Sequence, residues 1–77
     1  MAEEHEHVPG AVVKVIEVVG SSPNSFSDAV RNAVHGASHS VRGIRGVQVE
    51  SSNADVDESG NLTLYKVSCK IAFIVEL

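Results

Sequence analysis

Residues 64–77, LYKVSCKIAFIVEL, alternate side-chain character over a long run. Tyr65, Val67, Cys69, Ile71, Phe73 and Val75 share one parity, and Lys66, Ser68 and Lys70 share the other. Period-two alternation marks a strand with one buried and one wetter face. Val, Ile, Tyr and Phe suit such a pleated surface. Neither Pro nor Gly interrupts the run, so it can sit between two other strands. It is predicted to be the central strand on which the rest of the chain folds.

Residues 11–19, AVVKVIEVV, are a second strand of a different kind. Valines and an isoleucine occupy both parities, and only Lys14 and Glu17 are charged. A strand apolar on both faces needs both faces covered. The 77-residue chain has room for one domain, residues 11–77, and for one helix that covers one face. Small domains make up for a thin core with disulfides, metals or partners. The single cysteine excludes an intramolecular disulfide. A second copy of the chain is therefore expected against the first strand.

In chain order, residues 1–10, MAEEHEHVPG, read as a disordered acidic tail. His5 and His7 flank Glu6 there, which is too sparse a set to define a metal site. Gly20 to Asn24 is a turn cluster. Ser25 is the favoured helix N-cap, accepting from the Asp28 amide, with Ser22 followed by Pro23 as a second start. The helix is predicted to run to about Ser40. Phe26, Val30, Ala33, Val34, Ala37 and Val41 make its apolar stripe, and Asp28, Arg31, Asn32, His35 and His39 its other side. His35 and His39 are four apart and so neighbours on the helix surface. That spacing can hold a metal, yet the glutamate of an HExxH motif is missing.

Arg42 and Arg45 follow, as phosphate-binding candidates or as cations favoured at the helix end. Ile44 to about Ala54 is the next strand, with Val47 and Val49 on one side and Gly46, Gln48 and Glu50 on the other. Residues 57–61, DESGN, signal a hairpin, and the last strand then runs from Leu62 to Glu76. The expected class is α+β in the order β-α-β-β.

Six Lys and Arg against ten Asp and Glu leave a net charge of -4. With no basic stripe, no Trp and one Tyr, nucleic acid is not an expected partner. No apolar run approaches the roughly 18 residues of a membrane span. The polar N-terminus and lone thiol fit a cytoplasmic protein. Cys69 lies on the apolar parity, where a thiol is inert, and no phosphate loop occurs, so an enzyme is not expected. Asn53, Asp55 and Asp57 alternate near Glu50 and Glu58. Calcium favours such oxygen ligands, although the glycine and glutamate positions of an EF-hand loop are occupied by Glu58 and Leu64. Asp55, Asp57 and Glu58 are the metal candidates; the other reading is a charged hairpin tip that keeps strand edges from pairing.

KVIEVVGSSPNSFSDAVRNAV, VRGIRGVQVE and YKVSCKIAFIVE together resemble the dodecin family over residues 13–76. The most specific pieces are VIEVVGSSP at 15–23 and KIAF at 70–73. The resemblance implies a three-stranded antiparallel sheet wrapped around one helix, assembled into a hollow homododecamer. It also implies non-catalytic binding and storage of a flavin (riboflavin, FMN or FAD). The flavin-equivalent positions are Arg45, Gly46, Gln48 and Lys66. Gly46 falls where flavin-binding members carry a stacking Trp, and Lys66 where they carry a Gln. Glycine has no ring to stack, and lysine donates without accepting. In both replacements the chain is similar to the Trp-less branch described as calcium dodecins. The expectation is an oligomeric binding protein for a small ligand or ion, with a purely structural shell as the alternative.

Overall fold

The structure, a computed structural model, describes residues 12–75. The predicted tail with His5 and His7 lies outside the described residues. Four elements follow in the predicted order: strand β1 (Val12–Ser22), helix α1 (Phe26–Ala37), strand β2 (Ile44–Val56) and strand β3 (Leu62–Val75). All pairing is antiparallel, and the sheet order is β1-β3-β2, so the alternating C-terminal run is the central strand.

Ser25 caps α1 as its sequence position predicts. Its hydroxyl accepts from the Asp28 amide at 3.0 Å, and Asp28 sits at the positive end of the helix. Asp28 also accepts from the buried Ser22 hydroxyl at 2.7 Å, and that hydroxyl in turn accepts from the Asn24 amide at 2.9 Å. This small network ties the end of β1 to the start of α1. The helix ends at Ala37, earlier than the predicted Ser40, because the chain tightens into turns. The Ser40 and Val41 amides both donate to the Ala37 carbonyl. Gly43 then takes a positive φ of 73°, which glycine adopts without strain, and its carbonyl accepts from the Ile74 amide at 3.0 Å.

The core lies between α1 and the β1–β3 half of the sheet. Ala29, Ala33 and Ala37 form the buried stripe of the helix, and Ala29 and Ala33 pack on Val67 and Cys69 with Val18 and Val30 at the margin. Ala29 replaces Phe26 as the first member of that stripe. Phe26 is partly exposed and packs edge-on against Tyr65, ring centres 4.9 Å apart. The alanines let the helix lie close to the sheet. At Gly20 the approach is closest: a Cβ there would overlap the Ala29 carbonyl oxygen and come within 2.7 Å of the Ala33 Cβ. Gly20 therefore belongs to β1, not to the turn predicted for it, and β1 runs on to Ser22.

α1 barely touches β2. Val47 and Val49 face the helix side of the sheet yet remain 40% and 46% exposed. The opposite, outer face of β1 is barer still, with Val15 at 54% and Val19 at 70%. The Cα radius of gyration is 14.7 Å, where a compact chain of this length has about 11 Å. Large apolar side chains left exposed on both faces of one small sheet point to surfaces that another molecule covers.

Candidate functional site

The outer sheet face collects the polar side chains that sequence reasoning singled out, and a bulge explains how. Across β2 and β3, Gly46 pairs with Ala72, Gln48 with Lys70, Ser51 with Ser68, Asn53 with Lys66, and Asp55 with Leu64. Simple alternation along β2 would put Asp55 on the same side as Val47 and Val49. The register shift between Val49 and Ser51 inserts Glu50 and reverses the parity beyond it. The half of β2 nearest the hairpin therefore turns Asn53 and Asp55 onto the face that already carries Gly46 and Gln48.

Two ion pairs result. Lys66 Nζ reaches Asp55 Oδ1 at 2.8 Å, and Lys70 Nζ lies 3.6 Å from Glu50 Oε2. Glu17 is the β1 partner of Lys70, so two carboxylates flank that lysine across the sheet. Glu17, Glu50 and Ser68 help line a hollow of ≈ 260 Å³. Lys70 and Glu50 were not among the predicted site residues; the Lys-Ser-Lys parity of β3 was the signal that put Lys70 on the same face as Lys66.

The flavin-equivalent positions are only partly gathered. Gly46 and Gln48 share a depression with Val15, Lys70 and Ala72. Lys66 lies four residues from Lys70 along β3, about 13 Å away. Arg45 falls at another β2 register shift, between Ile44 and Gly46, and lines a separate cleft of ≈ 540 Å³ with Arg42, Gly43, Phe73 and Ile74. The Gly46–Gln48 depression measures ≈ 60 Å³, well below the roughly 300 Å³ at which small-molecule sites begin. With no ring at Gly46 and Lys66 committed to Asp55, the residues of one chain do not fit a flavin.

The metal candidates sit on the hairpin. Asp57 Oδ1 accepts from the Ser59 amide at 2.9 Å and the Asn61 amide at 3.0 Å. The Asn61 amide, with smaller help from Ser59, holds the Asp57 carboxyl below its ordinary value of 3.8. Asp57 thus anchors the turn, Asp55 pairs with Lys66, and Glu58 is exposed. Among the described residues no three His, Cys, Asp or Glu side chains converge on one point. Cys69 is fully buried, and burial pushes its thiol up, as expected for an inert core residue. No described helix is long and apolar enough to cross a membrane.

Comparison with known proteins gives one answer. The family described as Dodecin matches residues 12–76. The calcium dodecin of Mycobacterium tuberculosis is 36% identical over 63 residues, covering 82% of this chain and 87% of that protein. Its crystal structure, described as that of a calcium-chelating antigen with a novel calcium-binding site, superposes with a TM-score of 0.72 at 34% identity, covering 84% of this chain and 91% of that one. The dodecin of Streptomyces coelicolor superposes with a TM-score of 0.84 at 31% identity, covering 91% of this chain and 99% of the other.

Proposed function

The chain belongs to the dodecin family, and on that premise we propose that it is a non-catalytic, cytoplasmic subunit of a homododecameric shell that takes up a small ligand or cation at joints between subunits. The observation that carries this reading is the bare outer face of the sheet. Val15 and Val19 stand exposed beside a row of paired charges, and a neighbouring copy that covers the valines also completes whatever the charges bind. Calcium is favoured over flavin. The relative named for calcium is the 36% identical one, Gly46 supplies no stacking ring, and the outer face and hairpin carry Glu17, Glu50, Asp55, Asp57 and Glu58. Calcium takes six to eight oxygens. One chain gathers too few, so Asp55, Asp57 and Glu58 would act with carboxylates of a neighbour. A shell without a ligand is the second reading, favoured by the partners that Asp55 and Asp57 already have within the chain.

Light scattering should return about twelve times the 8.1 kDa chain mass. Calcium should raise the melting temperature of that species and a chelator lower it, because a ligand that binds only the folded state must stabilise it. The gain is about 2.7 kcal/mol at a hundredfold excess over Kd. Added riboflavin should keep its fluorescence. A single-chain mass overturns the shell; a twelvefold mass indifferent to calcium leaves the ligand-free assembly.

A further inference from the structure

We propose that His35 and His39 form a two-imidazole chelate for a borderline divalent transition metal, zinc, copper or nickel, on the exposed surface at the C-terminal end of α1. This site is separate from the outer sheet face and uses different chemistry, nitrogen ligands in place of carboxylates. The two rings already lie side by side, with centres 5.0 Å apart and planes at 68°. With metal–nitrogen bonds of about 2.0–2.1 Å, two imidazoles on one ion at angles between 90° and tetrahedral have ring centres about 4.5–5.2 Å apart. The observed spacing falls inside that window. Rotation of the rings about their last side-chain torsion, which is broad and costs little, would turn a nitrogen of each toward a shared ion.

The surroundings suit a cation. Both histidines are exposed, and among the described residues neither ring is hydrogen-bonded or ion-paired to another side chain. Their nitrogens are therefore available. His35 stands in the last helical turn, where the aligned peptide dipoles present partial negative charge. The chain as a whole carries a net charge of -4. Arg31, one turn before His35, is drawn to Asp28 at 3.8 Å, which offsets its repulsion. Ser38 Oγ donates to the His35 carbonyl at 2.6 Å and holds the backbone between the two ligands. The remaining coordination positions would be filled by water.

Calorimetric titration of the full chain with zinc chloride, in a buffer without chelators, tests the site. One equivalent per chain is expected. His35→Gln and His39→Gln should each weaken uptake about tenfold or more, because the second imidazole binds at high effective concentration once the first is engaged. His5→Gln with His7→Gln should leave the helix site intact and separates it from the tail. Substoichiometric copper should broaden the ring resonances of His35 and His39 together in the unsubstituted protein, a readout that needs no variant. The proposal is overturned by the absence of saturable uptake, by uptake that survives both single helix substitutions, or by broadening confined to the tail histidines.

Discussion

The two halves of this sheet are finished to different degrees. Against β1 and β3, Ala29 and Ala33 press on Val67 and Cys69, and these residues, with Ile71 and Ala37, are all but sealed from water. Against β2 there is almost no helix, and Val47 and Val49 are left half in solvent. Among the described residues the outer face has no covering layer. The chain thus completes one core by itself and leaves apolar surface whose stability depends on something else. Substitutions in the closed half should therefore act on folding, and substitutions on the open faces on association.

The largest effect is expected at the centre of the closed half. Ile71→Ala removes a fully buried side chain and should cost about 2–5 kcal/mol in denaturant unfolding. Gly20→Ala should follow, at about 1–3 kcal/mol, since the new methyl meets helix backbone that has to move. A Gly20→Ala variant as stable as its parent would show that the helix is free to slide and that the closed half is looser than its packing implies. On the outer face, Val15→Ser with Val19→Ser should change the stability of a chain by no more than about 0.5 kcal/mol per site. The same pair should lower the assembled mass seen by light scattering. An unchanged mass would break the division between closed and open halves.

The smallest effect belongs to the hairpin turn. Asp57 has its folded-state pKa depressed below 3.8 by the Asn61 and Ser59 amides. Its contribution is therefore present above about pH 4 and disappears as pH falls through the lower, folded value. Asp57→Asn keeps an acceptor for the turn but cannot titrate. Its melting temperature should fall less than the parent's between pH 5 and about pH 2. Parallel acid profiles would mean that the turn amides do not favour the charged form.

Much of the fold was legible because it rests on local chemistry. The parity of residues 64–77 identified the central strand and its buried Val67, Cys69 and Ile71, and Ser25 announced the helix start. What was missed depends on contacts distant in sequence. Ala29 is buried because Gly20 lets it approach, and neither residue advertises the other. The predicted end of β2 near Ala54 fell short of Val56, because the ladder continues through a third register shift beside the hairpin. Gly46 and Lys66 were correctly assigned to the side away from the helix. The pairing of Lys66 with Asp55 was hidden, since it follows from an extra residue in the ladder that alternation cannot show.

That extra residue, Glu50, has a consequence at the level of heredity. Val49 and Ser51 already face opposite sides of the sheet, so deleting the single codon between them would straighten the ladder and leave Ser51, Asn53 and Asp55 on the wall they occupy now. Lys66 would keep its counter-charge, and Lys70 would lose the carboxylate of Glu50. A descendant could thus strip one charge from that wall in one mutational step, with the pairing on either side of the deletion conserved.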